Sequence, residues 1–426
     1  VFKERLSENQ MTLKFSIPQV KAGTLIEYEY RLESDFFFTI DSWKAQSDIP
    51  TLYTEYDIII PEYFKFNTDM RGTESLETKS ESTSLSLSIE GQFFQCTGSH
   101  MNFRGTQLPA LKDDSYVWCA DDYCTQVNLE LLGIDFPGSL YQSFTKSWEQ
   151  IDEALLKDNE FGGRLKMSNP LKEEMNALHL EQMKGTEEKI CAIYTLLKNK
   201  VRWNEKYNLY GKAPKQILKE GTGSNADLNF ILISMLTDAG IPAYPVVMSR
   251  RNMGILPLTH PSLQKLNTFI VGIAHTDTTL VYLDSSVEDG YLNVLPPLLM
   301  TNRARVIIPD NHSQWVNLEA LGTNQLRSAV IASISPEGTI SGTRETLYAG
   351  QYASRLRNKF RTAKDSTDFV NKLASEENIQ VKSLQIEGRN YFSPQVREVM
   401  EFEKQSTVND QFIYCLLYTS PSPRDK

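Results

Sequence analysis

Residues 221–242 read as one helix with both ends marked. Gly221 and Gly223 loosen the entry, and Ser224 or Asn225 supplies the cap. Asp227 stands three residues after Ser224, where an acidic side chain completes a capping box. Leu228, Ile231, Leu232, Met235, Leu236 and Ala239 then recur at three- and four-residue spacing, one apolar stripe that other elements must cover. Gly240 stops the helix and Pro242 prevents its resumption. Residues 243–248 are apolar and β-branched, the pattern of a buried strand. A helix opening from a glycine loop also offers free N–H groups and a positive dipole end, where an anion is stabilised.

This stretch resembles a known family. Gly223, Ser224, Asn225, Ala226 and Asp227, followed by the helix and by Gly240, Ile241, Pro242 and Ala243, resemble the nucleophile helix of transglutaminase-like domains, which have a papain-like fold. That family reads Gly-x-Cys-x-Asp and reaches Gly-Ile-Pro-Ala fifteen residues after the cysteine; fifteen residues before Gly240 stands Asn225. Residues 266–271 resemble the strand that carries the family histidine, and residues 282–286 the strand that ends in its aspartate. Position by position, the resemblance implies a Cys-His-Asp triad at Asn225, Thr268 and Asp284, with two of its three catalytic side chains replaced.

Those replacements remove the chemistry. A cysteine nucleophile acts as a thiolate, activated by an imidazole that a carboxylate orients. An Asn amide is neither nucleophilic nor ionisable near neutral pH, a Thr hydroxyl is no base there, and Asp284 is left with nothing to orient. No catalytic triad is intact. The alternative is a hydrolase or acyl transferase with rebuilt chemistry: Ser224 as nucleophile, a loop histidine (His260 or His275) as base, and Asp284. Because Ser224 adjoins the usual nucleophile position, its hydroxyl points elsewhere unless the loop is re-registered.

The 426 residues suffice for two or three domains with real cores. A net charge of −10 argues against a nucleic-acid surface, and no apolar run has the length of a transmembrane helix. No Cys/His set has zinc spacing and no cofactor motif is present, so neither metal nor cofactor is expected. Cys119 and Cys124 flank a four-residue segment and either pair or remain thiols; Cys191, inside an amphipathic helical pattern, reads as a small core hydrophobe. His100, His179 and His312 have no partner in the pattern. The chain begins at Val1 in mid-pattern, so an N-terminal portion with any export signal is expected to be missing. Residues 415–426 resemble translated sequencing adapter.

The expected fold class is multidomain α+β. Residues 1–150 form an antiparallel, sandwich-like β domain, with strands at 13–18, 24–32, 57–61, 82–90 and 126–132 and a turn at 21–24. Residues 15–30 and 108–117 resemble a bacterial domain of unknown function that precedes a transglutaminase-like domain and follows an export signal. Residues 151–322 form the transglutaminase-like α+β domain, with helices starting at Ser147 or Glu149, after Pro170, and at a Thr186 cap, and with Trp203 either a core or interface aromatic or lining a cleft beside Asn225. Residues 323–414 form a partial β-rich domain: a hairpin at 328–347, a basic helix over 351–373 and one or two strands over 379–404. Together the resemblances imply a periplasmic or extracellular envelope protein that has lost catalysis and acts by binding or scaffolding. The partner they imply is a protein, peptide or glycan ligand in the cleft.

Overall fold

The computed structural model describes residues 2–5, 11–34, 40–89, 92–112, 114, 116–143, 147–257, 261–275, 279–309, 313–389, 392–408 and 413–414. The chain forms a mixed α/β structure of several sheets and divides into two compact units, residues 1–41 and 42–426. His260, His312 and residues 415–426 lie outside the described residues.

In the first unit, Phe2–Arg5 pairs antiparallel with Met11–Lys14. The expected turn forms: the N–H of Thr24 donates to the carbonyl of Lys21 at 3.0 Å, with Gly23 at φ +87°. The expected strand over 24–32 does not form, and the one over 13–18 stops at Lys14. Leu25 is 92% exposed and Tyr30 81%. An alternating pattern supplies a face but no backbone partner, and a strand needs both.

In the second unit, Thr51–Pro61, Gln92–Leu108 and Glu77–Ile89 form one antiparallel sheet, and Trp43–Lys44, Gln126–Ile134 and Phe64–Arg71 another. In Gln126–Ile134 every second residue turns inward, burying Val127, Leu129 and Leu131. The sheets meet through side chains: Trp43 stacks on Tyr56 at 5.4 Å, and Tyr56 lies 6.2 Å from Phe103.

Helices follow. Ser147 caps Trp148–Lys157 in a capping box with Gln150. Thr186 begins the helix through Lys200, but the cap is Gly185, one residue earlier than expected. The Trp148–Lys157 helix is tied to the strand Ala304–Val306 by Arg305, whose guanidinium reaches Asp152 at 2.6–3.0 Å and Glu149 at 3.3 Å and lies over Trp315 at 5.1 Å.

The middle of the chain is built on an antiparallel sheet, ordered Leu280–Leu283, Thr268–Ala274, Ala243–Met248, Ala304–Val306, Gln314–Val316. Val247, Phe269, Val271 and Ile273 join the main core with the central helix. Val246, Met248 and Ile270, of opposite parity, join a second core with Leu295, Leu299 and Leu318. A strand buried on both faces reads as a continuous apolar run, which is how residues 243–248 read.

The last part is a sheet ordered Gln325–Ile334, Thr339–Ala349, Gln395–Gln405, Gln380–Glu387. The hairpin forms as expected, closed by Gly338 at φ +82°. The expected helix over 351–373 is broken: Gln351–Thr362 ends, and Asp365 caps a new helix, Ser366–Glu377, accepting from the N–H of Asp368 at 2.8 Å. An Asp whose side chain can satisfy an orphan N–H competes with helix continuation.

Candidate functional site

The central helix is Asn225–Asp238. The capping box is formed as the spacing predicts: Ser224 Oγ accepts from the N–H of Asp227 at 3.3 Å, and Asp227 Oδ2 accepts from the N–H of Ser224 at 2.8 Å. Gly223 is required here, since an added Cβ would stand 2.9 Å from Asp227 Cβ. At the other end Gly240 takes φ +75° and the N–H of Ile241 reaches back to the carbonyl of Leu236 at 2.9 Å. One expectation is exceeded. Every residue from Asn225 to Leu236 is buried, so the helix is covered all round and not along one stripe.

Burying that whole helix buries its polar side chains. Asn225 stands in its first turn with both amide hydrogens in use, donating to Thr268 Oγ1 at 2.6 Å and to the carbonyl of Phe269 at 3.1 Å. Its Oδ1 accepts from the N–H of Asn208 at 2.8 Å. Asn229 lies one turn on, at i+4 on the same face. It donates to the same Phe269 carbonyl at 2.8 Å and to Asp284 Oδ1 at 2.8 Å, and accepts from the N–H of Ser285 at 2.8 Å. Both amide orientations are dictated, because a backbone N–H can only donate and a carbonyl can only accept.

Asn225 and Thr268 are therefore in direct contact, and Asp284 joins them through Asn229, not through Thr268. The expectation that Asp284 orients nothing is corrected: its carboxylate accepts from Asn229 and from the hydroxyl of Ser286. Burial pushes the Asp284 carboxyl above its ordinary value; the hydrogen bonds from Ser286 and Asn229, and the nearby Lys198 ammonium, work against that. Burial likewise lowers Lys198, whose Nζ donates to the carbonyl of Ser285 at 2.9 Å. Tyr207 is pushed up to about 12 by burial and then by the Asp284 charge, while Ser286 and Arg250, 5.1 Å from its ring, oppose the shift.

The remaining expected residues fall as follows. Trp203 borders this loop, its Nε1 donating at 3.0 Å to the Lys206 carbonyl that also accepts the N–H of Asn225 at 3.0 Å. Ser224 is 2% exposed with its hydroxyl oxygen committed to the cap. His275 is exposed in the turn beyond Ala274, while Thr268 begins the same strand. Six residues of extended chain put the two ends about 20 Å apart. Cys119 and Cys124 are thiols, and Cys191 packs partly buried against the main core.

Asn229, Asn208, Ser285, Ser286, Lys198 and Tyr207 were not anticipated. For Asn229 a signal existed: a second amide one turn after Asn225, inside a helix otherwise apolar from Leu228 to Met235 except for Ser234. The constellation holds amides, hydroxyls and one buried carboxyl. With the donors and acceptors of Asn225 and Asn229 all satisfied internally, it positions backbone and leaves no nucleophile–base pair among these residues.

No protein-family model and no curated protein matches the sequence. Among solved structures, a candidate protease from Parabacteroides distasonis ATCC 8503 aligns with a TM-score of 0.41 and 12% identity, over 85% of this chain and 68% of its own. A candidate cysteine protease from Cytophaga hutchinsonii aligns with a TM-score of 0.21 and 13% identity, over 55% of this chain and 79% of its own. Likenesses of this size assign no activity, so the reading rests on the residues themselves. Among the described residues no helix is long and apolar enough to cross a membrane.

Proposed function

We propose that this chain is a transglutaminase-like protein that has lost acyl transfer and works by binding or scaffolding in the bacterial cell envelope. The domain division proposed with it is 1–150, 151–322 and 323–414. The observation that carries the reading is the contact between Asn225 and Thr268, the positions the family resemblance equates with nucleophile and base. They hydrogen-bond to each other at 2.6 Å with both side chains fully buried. A pair retained for attack would keep a nucleophilic atom open to substrate; an amide and a hydroxyl closed on each other serve the fold instead. The envelope location follows from the resemblance of residues 15–30 and 108–117 to an exported domain.

The Ser224 alternative is opposed by the capping geometry. Using that hydroxyl for attack would surrender a helix cap worth about 1 kcal/mol and would need a base where the described residues provide no histidine. The test is labelling with a fluorophosphonate together with hydrolysis of a panel of acyl esters. The expected outcome is no labelling and no turnover. Stoichiometric labelling at Ser224 that Ser224→Ala abolishes would overturn the reading, and recovery of the native protein from the cytoplasmic fraction would remove its location.

A further inference from the structure

Natural sheets blunt their edge strands with shortness, lysine, proline or a bulge. Gln325–Ile334 has none of these. It is ten residues long, contains no proline, carries Arg327 as its single charge, and keeps an unbroken register from Gln325↔Ala349 to Ile334↔Ile340. Among the described residues it pairs on one side only. The helices Gln351–Thr362 and Ser366–Glu377 pack over the other three strands of this sheet. Leu326, Val330 and Ile334, on one face of the edge strand, are 40%, 55% and 47% exposed, and Ile331 on the other face is 82% exposed.

We propose that this edge is a self-association surface. Two copies of the chain pair their 325–334 strands antiparallel about a two-fold axis at Val330, joining two four-stranded sheets into one continuous sheet. What commits the occupant to a second copy is the near-palindrome of the strand. With the axis at Val330, Leu326 stands opposite Ile334 of the second copy, Val330 opposite Val330, and Ser328 opposite Ala332. On the other face Ala329 meets Ile331, and Arg327 meets Ser333, so the one charge never faces its own copy. Opposed side chains must share a face, so the axis has to sit on a residue; moving it to Ala329 sets Val330 against Ser328 and Ile331 against Arg327, and moving it to Ile331 sets Ile334 against Ser328, so the match is lost either way. Pairing over residues 326–334 of each copy makes about eight to ten backbone hydrogen bonds, as many as a typical specific interface carries.

Sedimentation velocity at physiological salt over a concentration range of about a hundredfold tests this. A monomer–dimer equilibrium is expected. Val330→Lys places two ammonium groups face to face across the axis and weakens the dimer at least about tenfold. Val330 is more than half exposed, so the fold is retained, and circular dichroism checks this. Val330→Cys, with opposed Cβ atoms about 4.5–5.5 Å apart, forms an intermolecular disulfide under mild oxidation, mapped by peptide mass. Ile331→Cys, facing Ala329 of the other copy, cross-links much less. A monomer throughout overturns the proposal, as does a dimer that Val330→Lys leaves unchanged or that both cysteine variants cross-link equally.

Discussion

Asn225→Ala separates a structural role for the buried amide from a dispensable one. The substitution deletes three side-chain hydrogen bonds, to Thr268 Oγ1, the Phe269 carbonyl and the Asn208 N–H. Phe269 keeps a partner in Asn229, but the fully buried Thr268 hydroxyl loses its donor. Two of the bonds contribute about 1 kcal/mol each and the third leaves a buried group unpaired at about 1–3 kcal/mol, so the expected loss is about 3–5 kcal/mol. Since the chain holds several sheets that need not unfold together, the assay is native-state hydrogen exchange of the Asn225–Asp238 helix, which reads the local opening free energy. Thr268→Val, alone and combined with Asn225→Ala, completes a double-mutant cycle with a coupling of about 0.5–1.5 kcal/mol. A loss below about 0.5 kcal/mol, the range of surface substitutions, or strict additivity in the cycle, would refute the argument that the pair holds the fold together.

Two further outcomes follow from the same packing. Asp284 titrates above its ordinary value of 3.8 because it is buried, so its neutral form is the one the fold favours. Its contribution is fully present below that ordinary value and is lost as pH rises through the folded-state value; the stability of Asp284→Asn relative to the native chain therefore climbs with pH over that window and is flat below it. Urea denaturation across a pH series checks this, and a native chain that gains on the variant as pH rises contradicts it. Arg305→Ala leaves the carboxylate of Asp152, only 9% exposed, without its guanidinium and costs about 3–5 kcal/mol in thermal or urea unfolding. Arg305→Met with Asp152→Leu removes both charges and recovers most of it; a double variant as unstable as the single one counts against the account.

Much of the middle of the chain was legible because its signals are local. Ser224, Asp227, Gly240 and Pro242 act within a turn of where they stand, and the structure places the capping box and the stop where the spacing put them. Wherever a local rule competed with another local rule, reading was harder. The helix over 351–373 had the right composition, yet Asp365 accepted the N–H of Asp368 as a new cap and broke it.

What the sequence by itself determined was the list of elements in the central stretch and the absence, at Asn225 and Thr268, of side chains able to attack or to take a proton. The tertiary structure alone decided who their partners are. Asn225 and Asn229 read as polar interruptions until Thr268, Phe269 and Asp284, forty or more positions away, arrive to accept all the N–H groups of both amides. Residues 24–32 had the alternation of a strand and found no neighbour among the described residues, whereas residues 126–134, with the same alternation, pair with Trp43–Lys44, Phe64–Arg71 and Gln142–Ser143. Hydrogen-bond capacity and apolar faces are written locally, but satisfying them takes a second piece of chain, and only folding chooses which piece arrives.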